Sequence, residues 1–171
     1  RSLINNYPQS EILVTTSTPT GSKLLLERLG NKIKHQYLPV DIPFFINLFL
    51  DTWKPRCLIL LETEIWPNII HACKKRKIYT ALVNARLSEK SKDNYLKYSS
   101  VIKPSLDKLD LILAQFESDK KRFNEISKQI KVDLCGNLKF DQDIPYELEE
   151  ISKTIRQDWS INGQKRPTLI A

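Results

Sequence analysis

Two carboxylates, Glu62 and Glu64, stand one residue apart in the stretch Cys57-Leu-Ile-Leu-Leu-Glu-Thr-Glu-Ile-Trp-Pro67. The apolar run Leu58 to Leu61 before them is long enough for a strand and too short for a helix. Such a run fits the middle of a parallel sheet covered on both faces. Pro67 suits the first turn of a helix, where its missing N–H has no intrahelical partner. The stretch therefore reads as buried strand, acidic turn, helix. In open parallel sheets, ligands bind in the crevice beyond the carboxyl ends of the strands. The alternative is structural: acids at a strand-to-helix turn also stabilise the helix N-terminus.

Two further stretches can hold an anion. Ser17-Thr18-Pro19-Thr20-Gly21-Ser22 is a hydroxyl-rich turn before a helical pattern ending at Gly30, and backbone N–H groups at a helix start can cradle a phosphate. Its spacing is neither that of a P-loop nor that of a dinucleotide fingerprint, and a plain N-cap by Thr20 or Ser22 explains it equally well. The loop Gly136-Asn-Leu-Lys-Phe-Asp141 brings together a glycine, an amide, a cation and an acid. Cys57, Cys73 and Cys135 lie far apart with no histidine at ligand spacing, which points to reduced, mostly buried thiols and no metal site.

The elements that must position these residues alternate along the chain. Strands are expected at Glu11 to Thr16, Lys34 to Val40, Leu58 to Leu61, Tyr79 to Asn84, Leu109 to Gln115 and Lys131 to Cys135. Helices are expected at Lys23 to Leu29, Ile42 to Trp53 capped by Asp41, Pro67 to Lys77, Glu89 to at least Val101, Ser118 to Ile126 and Tyr146 to Trp159. Pro104 should bend or end the long helix. This alternation is the signature of an α/β fold, a Rossmann-like parallel sheet with helices on both faces. Residues 1–160 read as one domain and 161–171 as a linker and the start of a further strand, so the chain reads as a piece of a longer protein.

With 171 residues and a hydrophobic fraction of 41%, the chain can bury a full core. No stretch is apolar for long enough to span a bilayer. The net charge of +7 favours an anionic partner. The helix Ile42 to Trp53 is apolar around most of its circumference and is followed by Lys54 and Arg56. It is either buried on several sides or offers Phe45 and Phe49 to an anionic membrane surface beside those cations. A basic nucleic-acid-binding module is disfavoured, because no recognition motif is present and the basic residues lie apart at helix ends.

Taken together, Thr15-Thr-Ser-Thr-Pro-Thr-Gly21, Tyr37-Leu-Pro-Val-Asp41, Glu62-Thr-Glu-Ile-Trp-Pro-Asn68, Asn84-Ala-Arg-Leu-Ser88 and Gly136-Asn-Leu-Lys-Phe-Asp141 resemble the N-terminal domain of the 3-deoxy-D-manno-octulosonic acid (Kdo) transferases. The resemblance covers nearly the whole chain. It implies that the domain 1–160 lacks its first strand and helix start, and that the closing strand is the first of another domain. It implies the N-terminal half of a GT-B glycosyltransferase that moves Kdo from CMP-Kdo to a lipid A precursor at the cytoplasmic face of the bacterial inner membrane. No metal or cofactor is implied, and CMP-Kdo is the donor substrate. The implied general base is a glutamate in a Gly-Glu turn upstream of this chain, so the chain alone is expected to be inactive. Glu62 and Glu64 would support that base from the cleft floor. Thr18, Thr20, Gly21 and Ser22 would border substrate phosphates, and Arg86, Asn137 and Lys139 would balance substrate charge. An ion pair between Arg86 and one of the glutamates is the structural alternative. Another GT-B nucleotide-sugar transferase with a different acceptor stays open as a second reading.

Overall fold

The computed structural model describes residues 2–138 and 146–158. Helix α1 (Ser2–Asn6) leads to β1 (Leu13–Thr16), α2 (Pro19–Leu29), a 3-10 turn and β2 (Lys34–Tyr37). Then come α3 (Pro43–Trp53), β3 (Cys57–Leu61), α4 (Pro67–Lys75) and β4 (Tyr79–Ala85). The chain continues through α5 (Glu89–Lys97), α6 (Ser99–Leu106), β5 (Leu111–Ala114), α7 (Glu117–Ile126), β6 (Val132–Leu134) and α8 (Tyr146–Asp158). Every strand pair is parallel, as β-helix-β alternation demands. The α/β class and the parallel sheet are as the sequence leads one to expect.

The strands form a two-stranded sheet, β1-β2, and a four-stranded sheet in the order β3-β4-β5-β6. The expectation of a run covered on both sides at Leu58 to Leu61 is met on one side among the described residues. Among the described residues β3 pairs on one side only, and Ile59 and Leu61 remain 46% and 58% exposed. Of this strand, Leu60 alone is buried among the described residues. The most deeply buried strand is β4, with Thr80, Ala81, Leu82, Asn84 and Ala85 inside.

The core lies between the four-stranded sheet and its helices. Ile46 and Leu50 of α3, Ile69, Ile70 and Cys73 of α4, Leu106 of α6 and Phe123 of α7 meet Leu82 and Ile112 of the sheet. Cys73 is buried, Cys135 is partly covered and Cys57 is exposed on the β3 edge, so burial of the thiols is incomplete.

Local structure departs from expectation at three points. Glu89 to Val101 is not one helix, because the backbone of Tyr98 (φ −102°, ψ 31°) separates α5 from α6, with Pro104 carried inside α6. Ser118 does not cap α7. The Asp119 carboxylate instead reaches back to the N–H of Phe116. Asp41 does not cap α3, which starts at Pro43 with no side-chain cap. Trp159 and residues 161–171 lie outside the described residues.

Candidate functional site

Parallel strands end on a common edge. The register sets Leu61 beside Val83, Ala85 beside Ala114 and Ala114 beside Leu134. The residues that follow, Glu62, Arg86, Gln115 and the Cys135–Leu138 loop, therefore emerge side by side. The two-stranded sheet is tied to the same edge by Asp41, which follows β2. Its Oδ2 accepts from the N–H of Asn68 at 3.0 Å and its Oδ1 from the N–H of Ile69 at 2.9 Å, while the Asn68 side chain donates to the Asp41 carbonyl at 2.6 Å.

This contact bears on the two glutamates. The free N–H groups at the start of α4 are the ones that Glu62 or Glu64 would have capped, and Asp41 already occupies them. Neither glutamate caps α4. Glu64 accepts from the indole N–H of Trp66 at 3.1 Å, which directs its carboxylate along the turn. Glu62 has a φ of 63°, a left-handed conformation that is uncommon outside glycine and costs roughly 1–2 kcal/mol. Its N–H donates to the carbonyl of Val83 at 2.9 Å, continuing the ladder to β4. Among the described residues its exposed carboxylate has no hydrogen bond or ion pair. An acid held in strained backbone with its charge uncommitted is the arrangement expected of a residue kept for a ligand.

The acidic turn is fastened to its neighbours by residues that the sequence reading did not single out. Thr63 donates its hydroxyl to the carbonyl of Arg86 at 2.6 Å, and the Tyr95 hydroxyl donates to the carbonyl of Thr63 at 3.2 Å. Tyr95, on α5, sits in an apolar setting that raises the phenol pKa through desolvation. Asn84 and Gln115 bridge the ends of β4, β5 and the Cys135–Leu138 loop. Nothing in composition or periodicity marks Thr63 or Tyr95, since their roles depend on contacts across the fold.

Arg86 is exposed, and the ion pairs among the described residues do not include it. Its guanidinium is thus not consumed by Glu62 or Glu64. Asn137 is partly buried in the adjacent loop, while Lys139 lies outside the described residues.

In the hydroxyl-rich turn the cap is Thr18, not Thr20 or Ser22. Its Oγ1 accepts from the N–H of Gly21 at 3.1 Å, and α2 begins at Pro19. A Cβ on Gly21 would meet Thr18 Oγ1 at 3.0 Å, so glycine is what lets the cap close. Ser22 is buried at 8% exposure and is withdrawn from the surface at which it was expected. Thr18 and Thr20 remain exposed there.

The apolar helix α3 divides cleanly. Phe49 is buried with Ile46 and Leu50, so it cannot be a surface contact. Phe44 and Leu48 are 71% and 59% exposed, and Phe45 is 46% exposed and packed edge-on against Phe44. Val40 and Ile42 are also exposed, on either side of the Asp41 that is bonded to the start of α4. Pro39, Phe45, Leu48 and Trp53 line a groove. Lys54 takes a left-handed φ of 44° to end α3, and both it and Arg56 are exposed at the far end of the helix. No helix among the described residues is long and apolar enough to cross a membrane, and no cluster of metal-ligating side chains occurs among them.

Comparison with known proteins gives the family. The family model described as 3-deoxy-D-manno-octulosonic-acid transferase (kdotransferase) matches residues 1–142. A 3-deoxy-D-manno-octulosonic acid transferase of Haemophilus influenzae is 36% identical over 172 aligned positions, covering 100% of this chain and 40% of the relative. The protein of that name from Rickettsia conorii is 38% identical over 149 positions, covering 86% of this chain and 32% of the relative. A bifunctional glycosyltransferase/methyltransferase of Fusobacterium nucleatum is 32% identical over 160 positions, 92% of this chain and 25% of that protein. The chain spans less than half the length of each of these relatives. Its five motifs and its parallel α/β fold, together with the match over most of its length, place it in one family: the chain belongs to the 3-deoxy-D-manno-octulosonic-acid transferases.

Proposed function

We propose that this chain is the acceptor-side half of an inverting glycosyltransferase that moves Kdo from CMP-Kdo to a lipid A precursor at the cytoplasmic face of the inner membrane. The observation that carries the reading is Glu62, whose carboxylate has no partner among the described residues and stands in strained backbone at the strand ends, while Asp41 does the capping that would otherwise explain an acid there. The reaction needs a base to take the proton of the acceptor hydroxyl as the anomeric carbon is attacked. That base belongs to a Gly-Glu turn on a strand preceding β1. Both β1 and β3 have one unpaired edge among the described residues, and a parallel strand between them would end beside Glu62 and Thr18. There Glu62 and Glu64 would keep the base's pKa raised, since like charges disfavour each other's ionisation. Arg86, Asn137 and Lys139 would meet anionic groups of the substrates.

The acceptor is a lipid, and Val40, Ile42, Phe44, Phe45 and Leu48 are exposed apolar residues. Apolar burial contributes about 25 cal/mol per Å², and each cation near an anionic surface adds roughly 1 kcal/mol. Phe44 and Phe45 with Lys54 and Arg56 would thus hold the domain reversibly at the bilayer. The test is direct. The full-length protein, CMP-Kdo and a tetra-acylated lipid A precursor in anionic vesicles should yield a lipid heavier by one or more Kdo units. Hydrolysis of CMP-Kdo with no lipid product, or transfer only from another nucleotide sugar, would replace this reading with that of a different GT-B transferase.

A further inference from the structure

Asn84 stands where β4 leaves the sheet, and three features coincide there. Its φ is 57°, a left-handed value. The pairing of β4 with β5 shifts register between Leu82 and Ala85, across this residue. Its side chain is buried, at 7% exposure, and Oδ1 accepts from the N–H of Leu138 at 3.2 Å. The Asn84 carbonyl accepts from the Gln115 side chain at 3.1 Å. Asparagine tolerates a left-handed backbone better than most residues, but glycine tolerates it better still. Backbone geometry alone therefore does not explain an amide at this point. Its oxygen does, because the N–H of Leu138 is more than fifty residues away in sequence and is brought to β4 by this bond.

On one side, Asn84 is followed by Ala85 and Arg86, whose carbonyl holds Thr63 of the acidic turn. On the other, the bonded Leu138 follows Asn137 in the loop after β6. We infer that Asn84 is a positioning residue, whose amide oxygen fixes the Cys135–Leu138 loop against the end of β4 so that Asn137 and Arg86 meet the same substrate anion. This rests on the function proposed above and adds to it the element that sets the distance between two substrate-binding groups.

The test uses the full-length enzyme. Asn84→Gly keeps the left-handed backbone and removes the acceptor. It should raise KM for a substrate by about tenfold, the scale of one lost hydrogen bond, and change kcat much less. Deuterium uptake by the peptide covering 135–138 should rise in the same variant. Combined with Asn137→Ala, it should add little further loss, because both changes remove one function. Unchanged KM and uptake in Asn84→Gly, or independent effects in the double variant, would overturn the inference. If Asn84→Gly does not fold, Asn84→Asp, which keeps an acceptor oxygen for the N–H of Leu138, should hold KM and deuterium uptake near wild type. A folded Asn84→Asp with both raised as far as expected for Asn84→Gly would overturn the inference. A wild-type enzyme that transfers Kdo but is insensitive to Asn84 sinks this inference alone, whereas a wild type without Kdo transfer sinks the proposed function.

Discussion

Both oxygens of Asp41 are committed to the first free amides of α4, a helix that begins after a different strand. Loss of a capping carboxylate typically costs about 1 kcal/mol. Asp41→Ala should lower the unfolding free energy by about 1–2 kcal/mol in urea titration, with Asp41→Asn intermediate; a change confined to activity would contradict the capping role. A second residue-scale consequence concerns pH. Glu89 accepts from Lys92 at 2.8 Å and from Arg122 at 2.7 Å, which lowers its pKa from 4.5 to about 2. Because the folded-state value is the depressed one, the stabilisation is complete above the ordinary carboxyl value and fades as pH falls toward 2. Thermal melts should therefore show Glu89→Gln below wild type at pH 7, with the gap closing by about pH 2. A gap of constant size across that range would show that the ion pairs contribute nothing through titration.

At the scale of elements, α3 was the hardest to read from sequence. Eight apolar side chains around one helix admit two answers, and the structure combines both: Ile46, Phe49 and Leu50 face the core, while Phe44, Phe45 and Leu48 face outward. Periodicity could not separate them, since the outward stripe is as apolar as the inward one. The split makes a sharp prediction. Phe49→Ser should destabilise the fold by about 3–5 kcal/mol, as large core truncations do. Phe44→Ser with Phe45→Ser should leave the unfolding midpoint nearly unchanged and weaken sedimentation with anionic vesicles. Equal vesicle binding by the outward pair would remove α3 from the membrane account. Elsewhere, the order and type of the elements were legible because β-branched runs, prolines and capping hydroxyls act locally. Which flank of β3 is covered among the described residues was not, because an apolar tetrapeptide looks the same whichever neighbour pairs with it. The division of roles between Asp41 and Glu62 was hidden for a related reason: both are acids before a helix, and only the contact across from β2 tells them apart.

For the whole molecule, among the described residues, the parallel strands gather the acidic turn, Arg86 and the Asn137 loop on one edge, and α3 leaves Phe44, Phe45 and Leu48 exposed. The chain matches 40% of the Haemophilus influenzae relative, and the reaction proposed above is to be measured on full-length protein. There the Glu62 carboxylate would act through its charge, and Glu62→Gln removes that charge while keeping size. The decisive measurement is Kdo transfer by full-length Glu62→Gln beside its thermal unfolding midpoint. Turnover should fall by about two orders of magnitude, within the range for groups that support proton transfer, with the midpoint within a few degrees of wild type. Full activity, or a loss matched by unfolding, would contradict a chemical role for the acidic turn.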